Sequence, residues 1–308
     1  MLRLFTYLYS FTYKKGTTVS LSYLLSFLRF VIRIISNTLL PLYFIITSSS
    51  KKYRIVNNGS LTEHRERILV SFTSFPKRIN KVWLVVESLL RQSYKPDLVI
   101  LWLSKEQFES LNVLPARLLN LQKRGLMLKI KEGDMRSHKK YYYAFREYPN
   151  DVIITVDDDI IYSPDLIKYL VETYRKNPNC VCANHVRRVE IENEYTSWSI
   201  VDKSGVDEKN MQIGVGGVLY PPYSKGFLDS NTINYSLAKN VAPLADDLWL
   251  YAMCRLKGTC ICRTDFKGLF LPIMINGNET LTSQNVLQNQ NEVQLAKINN
   301  CFKIFNVK

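Results

Sequence analysis

The rhythm of apolar and polar positions changes along the chain. Between residues 19 and 40, with Ser20 and Thr38 near the ends, the polar positions include Ser22, Ser26, Arg29, Arg33 and Ser36/Asn37. Their spacing of three and four predicts a helix with one narrow polar stripe, every other face being apolar until Pro41 interrupts it. From residue 68 the rhythm shortens. Residues 68–75 (ILVSFTSF) form a β-rich run closed by Pro76, and 79–92 return to helical periodicity through Val82, Val86, Leu89 and Leu90. Residues 97–103 (DLVILWL) are almost continuously apolar, as in a strand covered on both faces. A strand at 126–130, a helix at 138–148 and a strand at 152–156 (VIITV) follow. A helix at 164–176 is expected to open with Ser163 as N-cap and Pro164 in its first turn. This alternation predicts an α/β domain with a mostly parallel, Rossmann-like sheet flanked by helices. The second half is less regular. Residues 181–184 and 259–263 read as short strands, 193–211 as loop, 245–257 as helix, and the Asn-rich 276–300 as weakly patterned tail.

Composition narrows the class. With 308 residues, 46% hydrophobic and 22% charged, the chain can bury a full core and is neither disordered nor fibrous. Its formal net charge is +14, and eight Lys/Arg with no Asp or Glu precede residue 57, so the remainder carries only +6. A nucleic-acid binder would instead show a basic stripe on the folded body. The chain therefore divides into a basic apolar segment (1–56), a polar linker (57–67), an α/β body (68–275) and a tail (276–308). Two arginines in the apolar helix oppose a bilayer crossing by about 2.5–3.5 kcal/mol each near the centre. A helix in the headgroup region avoids that cost and gains from anionic lipid. The expected location is thus peripheral, on the cytoplasmic face of the cell membrane. The alternatives are a helix packed on the body with Arg29 and Arg33 facing solvent, or a single-pass type II anchor, for which the sequons at Asn58, Asn234 and Asn278 would be glycosylation sites. Six cysteines, four of them in C-x-C pairs (Cys180/Cys182, Cys260/Cys262), fit a reducing compartment or buried thiols better than a zinc knuckle.

Four stretches carry candidate chemistry. Asp157, Asp158 and Asp159 follow the strongest strand, at the edge where open α/β sheets bind ligands. Three adjacent carboxylates repel one another unless a cation sits among them, and hard oxygen donors suit Mn2+ or Mg2+ holding a diphosphate. Asp246 and Asp247 open a helix, either as capping groups or with one of them as a general base. Residues 214–222 (GVGGVLYPP) allow close backbone approach, or form an ordinary tight turn. Residues 73–78 (TSFPKR) and 134–140 (DMRSHKK) bring hydroxyls and cations to the same sheet edge, and Arg78, Arg136 and Lys140 can neutralise phosphate oxygens. His138 and Tyr141–Tyr143 read as surface and core of one helix.

Together these residues resemble the GT-A glycosyltransferases of family 2-like type, over residues 68–275. The opening β-α-β unit with SLLRQSYKPDLVI, the D-x-D element in VIITVDDDI and the DDLWLYAMCRLKG helix carry the likeness. Residues 102–106 (WLSKE) depart from the acidic D-G-S turn of family 2, which points to a separate capsule- or lipopolysaccharide-type branch. The resemblance implies a nucleoside-diphosphate sugar donor, a divalent metal, and an inverting transfer of a hexosyl group to a glycan or lipid-linked acceptor. Asp157 and Asp159 would hold the metal, and Asp247, with Asp246 as substitute, would be the base. Thr73, Ser74, Pro76, Arg78, Asp134, Arg136, Lys140, Asp157 and Asp158 would line the donor site, and Gly216, Gly217 and Tyr220 the acceptor site. A sugar nucleotidyltransferase of related fold, or a non-catalytic membrane-associated scaffold, stand as rivals.

Overall fold

The structure, a computed structural model, describes residues 1–13, 19–55, 66–268, 270–274 and 290–305. Most of the expected linker, much of the tail, and Asn58 and Asn278 lie outside the described residues. The chain opens with α1 (Leu2–Phe11) and the long α2 (Val19–Ile46). Helix α2 does not end at Pro41 as its pattern predicts. The missing N–H removes one helical bond, while Leu40 and Phe44 on either side of it are wholly buried in the main core.

The body begins with β1 (Ile68–Thr73), followed by the single turn α3 (Pro76–Ile79) and by α4 (Val82–Leu90). The helix expected across 79–92 is therefore broken at Asn80–Lys81. Next come β2 (Leu98–Ser104), the short α5 (Ala116–Leu119), β3 (Leu126–Lys131), α6 (Lys139–Glu147) and β4 (Val152–Thr155). β3, β2, β1 and β4 lie side by side and parallel, with Leu69 opposite both Leu98 and Ile153. Alternation sorts the two faces. Val70, Phe72, Val99 and Leu101 pack toward α4, whereas Leu69, Ile100, Trp102 and Ile153 meet Tyr141 and Phe145 of α6. Because both faces of β2 and β4 are covered, these two read as nearly unbroken apolar runs, whereas the edge strand β3 carries Lys129 and Lys131.

The second half completes the sheet less regularly. After β5 (Ile160–Ile161) and α7 (Leu166–Lys176) come β6 (Val181–Ala183), β7 (Val186–Arg188), β8 (Gly205–Val206), β9 (Asn210–Gln212) and β10 (Val218–Tyr220). Helices α8 (Tyr235–Val241) and α9 (Asp246–Lys257), strands β11 (Ile261–Arg263) and β12 (Leu271–Pro272), and α10 (Gln290–Phe302) follow. The main sheet runs β3-β2-β1-β4-β10-β6-β11-β8, and β10 is antiparallel to both its neighbours. Ser163 does not cap α7. The helix starts at Leu166 with Asp165 in the cap position, and that carboxylate is taken by Arg3 of α1 (2.7 Å) and Ser93 (2.8 Å). The region 193–211, expected as loop, includes β8 and the start of β9.

The cysteines also depart from expectation. Cys180 and Cys260 are disulfide-bonded across β6 and β11, while Cys182, Cys254 and Cys262 are buried thiols and Cys301 is exposed. The two C-x-C pairs face each other because the parallel register sets Cys182 opposite Cys262.

Candidate active site

The carboxyl ends of β1 and β4, the turn before α6 and the start of α9 enclose one cavity of about 570 Å³. β4 delivers Asp157, Asp158 and Asp159 to its wall. The backbone there is fixed by the Asp157 N–H donating to the Tyr162 hydroxyl (2.8 Å) and the Ile273 N–H donating to the Asp159 carbonyl (2.8 Å). Ser74, just past β1, donates to the Asp158 carboxylate (2.5 Å), and the Arg78 guanidinium of α3 bridges Asp158 and Asp159, the latter at 3.1 Å. Arg78 and Asp158 are both buried. Burial raises Asp158 above its ordinary value against the pull of Arg78, and burial likewise raises Asp159 to about 6.

Lys140, in the first turn of α6, occupies the centre of the site. Its buried ammonium lies 2.9 Å from Asp157 and 2.8 Å from Asp246. Burial opposes its charge, but Asp157, Asp246 and Asp247 outweigh that and hold its pKa well above the ordinary lysine value. Asp246 and Asp247 start α9, and the two carboxylates diverge in behaviour. Asp246 is buried, yet Lys140 overcomes the burial and keeps it ionised below the usual range. Asp247 faces the cavity and accepts from the Gly214 N–H (2.8 Å). Burial and the adjacent Asp246 raise it to about 7, against the pull of Lys140 and Gly214. Such a carboxylate is poised to take a proton near neutral pH.

The repulsion expected among the three aspartates is thus met by the chain's own cations, Arg78 and Lys140. Among the described residues no group of three or more His, Cys, Asp or Glu is arranged to hold a metal ion. Asp157 and Asp159 nevertheless keep about a third of their side chains open (32% and 30%). They fit a hard cation whose remaining ligands come from a bound diphosphate.

Of the expected site residues, Thr73, Ser74, Arg78, Asp134, Arg136, Lys140, Asp157, Asp158, Asp159, Asp246 and Asp247 line this cavity. Four do not. Pro76 is exposed at the first position of α3. Gly216 packs against His185 and Gly217, at φ +77°, against Leu166, while Tyr220 is a buried core residue of β10. The glycines thus allow β10 to enter the sheet and leave the wall to their neighbours Ile213 and Val215. His138, expected at the surface, is buried between the Tyr141 hydroxyl and the Ala242 carbonyl (2.7 Å each).

The opposite wall was not legible in advance. It is built from His185, Arg187, Tyr195 and Asn291, drawn from β7, a single helical turn and α10. Arg187 donates to the Tyr195 carbonyl (2.7 Å) and lies over the Tyr195 ring, and Glu292 accepts from the Tyr195 N–H. Burial, then Arg263 and Arg187, lower His185 to about 4, so it is neutral at pH 7. Where the WLSKE departure falls, Gln107 reaches into the cavity and donates to Asp134 (2.9 Å). Arg136, with φ +49°, turns the chain there, its own N–H bonded to Asp134.

Residues 78–227 match the family model for glycosyl transferase family 2. This segment, just under half of the chain, is similar to glycosyl transferase family 2. It contains Arg78, Lys140, the three aspartates and Gly214, and it ends before Asp246 and Asp247. No match was found among curated proteins. Solved structures similar to the chain include a 4-diphosphocytidyl-2C-methyl-D-erythritol synthase (12% identity, TM-score 0.40, 75% of this chain and 99% of that one). A UTP-bound UGPase from Acinetobacter baumannii has 12% identity and TM-score 0.39, with 79% and 99% covered. The mannosyltransferase PcManGT from Pyrobaculum calidifontis, in complex with GDP-Man and Mn2+, has 16% identity and TM-score 0.30, with 50% and 45% covered. Likenesses at these scores carry no function to this chain.

Proposed function

We propose that the protein is a metal-dependent glycosyltransferase of polysaccharide biosynthesis. It moves a hexosyl group, with inversion, from a nucleoside-diphosphate donor to a hydroxyl of a glycan or lipid-linked acceptor. The observation that carries this reading is the position and proton affinity of Asp247, on the same cavity wall as the Asp157–Asp159 cluster, with Lys140 between them. Asp247 removes the acceptor hydroxyl proton as that oxygen bonds to the anomeric carbon, and the bond from that carbon to the diphosphate oxygen breaks, the electron pair leaving with the nucleoside diphosphate. A bound Mn2+ or Mg2+ supplies charge neutralisation at the diphosphate. Arg136, which has no ion pair among those found in the described residues, is placed to neutralise phosphate oxygens, and Gln107 with Asp134 to meet the nucleoside. His185, Arg187, Tyr195 and Asn291 form the wall left for the acceptor. The basic apolar N-terminus supports a peripheral location on the cytoplasmic face of the cell membrane.

The test is a screen of nucleotide sugars for manganese-dependent thermal stabilisation, followed by turnover with the donor that binds. A stabilising donor whose binding is lost on chelation, and whose transfer is lost in Asp247→Asn, is expected. No shift with any donor would overturn the reading.

A further inference from the structure

We infer that α1 and α2 form a docking layer that lies in the plane of an anionic lipid bilayer, its apolar face sunk into the acyl boundary. This deepens the peripheral location proposed above by naming the surface, its depth and its orientation. Eighteen of the 25 large apolar side chains left exposed among the described residues fall within the first 46 positions. They cover one side of both helices, with Tyr23 73%, Phe27 63%, Phe30 57% and Ile46 79% exposed. Patches of this extent are rare on soluble monomers and mark an interaction surface.

The opposite side of α2 is turned inward, which differs from the packed-helix alternative, in which Arg29 and Arg33 face solvent. Arg29 donates to the Thr12 carbonyl (2.9 Å) and stacks on Tyr13 (3.7 Å). Ser36, Leu40 and Phe44 are fully buried. Asn37 donates to the Pro272 carbonyl (3.1 Å) and accepts from the Met274 N–H (2.9 Å), and Arg91 of the body holds the Phe44 carbonyl (3.3 Å). Helix α2 is long and apolar enough to cross a membrane, yet crossing would strip these contacts from its inner seam. Lying in plane keeps them and leaves an outward face that is apolar apart from small hydroxyl side chains such as Ser20 and Thr38.

Charge selects lipid over a second copy of the chain. Lys51, Lys52 and Arg54 are exposed just beyond α2, and no acidic residue occurs before residue 57 to pair with them from a symmetric partner. Anionic headgroups supply that complement. The layer also touches the catalytic machinery. Strand β12 is held by Asn37 on one side, and the next residue, Ile273, donates to the Asp159 carbonyl on the other. An acceptor carried on lipid would therefore meet the cleft at headgroup level.

The full-length chain should co-float with vesicles of phosphatidylcholine and phosphatidylglycerol, and bind those of phosphatidylcholine alone more weakly. Phe27→Ser with Phe30→Ser should lower the partition coefficient at least about tenfold, with the melting temperature unchanged. Lys51→Glu with Lys52→Glu should abolish the preference for the anionic vesicles. Flotation indifferent to both pairs, a cysteine at Tyr23 labelled from the vesicle lumen, or a vesicle-free dimer that protects Phe27 would each overturn the inference. Transferase activity is read separately on a soluble acceptor. Flotation without activity under any donor would sink the enzyme reading alone, and activity without flotation would sink the docking layer alone.

Discussion

Two sets of charges are taken out of water in this protein, and they are balanced in opposite ways. On α4, Glu87 is buried between two arginines, bonded to Arg91 and held by Arg124 through both carboxylate oxygens. The guanidinium groups are completed by the carbonyls of Phe44 and Tyr53 and by the Tyr53 ring. One anion, two cations and fixed acceptors make a closed knot that ties α2 to the body. In the cleft, five aspartates share two buried cations, Arg78 and Lys140, and open into a cavity. The first arrangement is closed to solvent, with only the buried Arg91 Nε left without a hydrogen-bond partner in it. The second retains an excess of negative charge that a hard cation would relieve.

The strongest way to sharpen that contrast is Asp247→Asn. It should lower kcat by about 10³-fold, or about 4 kcal/mol, while thermal stability holds or rises, since the variant removes a raised carboxyl group from a crowded anionic site. Enzyme assay and calorimetry on the same preparation check it. Glu87→Gln should do the reverse. Leaving two buried arginines without their anion should cost about 3 kcal/mol of unfolding free energy, read by urea titration, with kcat per folded molecule unchanged.

Lys140→Met tests the cation at the centre of the cleft. Without it Asp157, Asp246 and Asp247 repel one another unrelieved, and transfer at pH 7 should fall about tenfold or more. The acidic limb of the pH–rate profile should move to higher pH. In the unaltered protein that limb should rise through about pH 7, because Asp247 acts only when deprotonated and is held near that value. The same groups give the smallest effect, on stability. Asp159 and Asp247 bind protons more tightly folded than unfolded, so their contribution is present below pH 4 and is lost as pH rises through about 6 and 7. A melting temperature that climbs over that interval would break the comparison.

How far the sequence spoke for itself follows the same division. β1, β2 and β4 were legible because they are buried and largely apolar, and β3 because its apolar positions alternate with Lys129 and Lys131 at the sheet edge. The far wall was not. His185 and Arg187 lie on or beside a three-residue strand, Tyr195 in one helical turn and Asn291 in a helix without strong periodicity, so no local pattern announces them. Gly216, Gly217 and Tyr220 misled for a related reason. A glycine run signals unusual backbone, and here that backbone serves the entry of β10 into the sheet. The stripe on α2 was legible, but which side of it meets the body was not, because periodicity gives the angle between faces and not their partners.

The antiparallel course of β10 has one more consequence. Since β6 ends, and β10 begins, at the rim where the aspartates stand, the chain between them leaves the sheet and returns to it at the same edge. Residues 184–217 thus begin and end beside the aspartates, and on the way they lay β8 against β11 at the far edge of the sheet. The stretch that brings His185, Arg187 and Tyr195 to the cavity is thereby anchored to the same sheet that carries the aspartates.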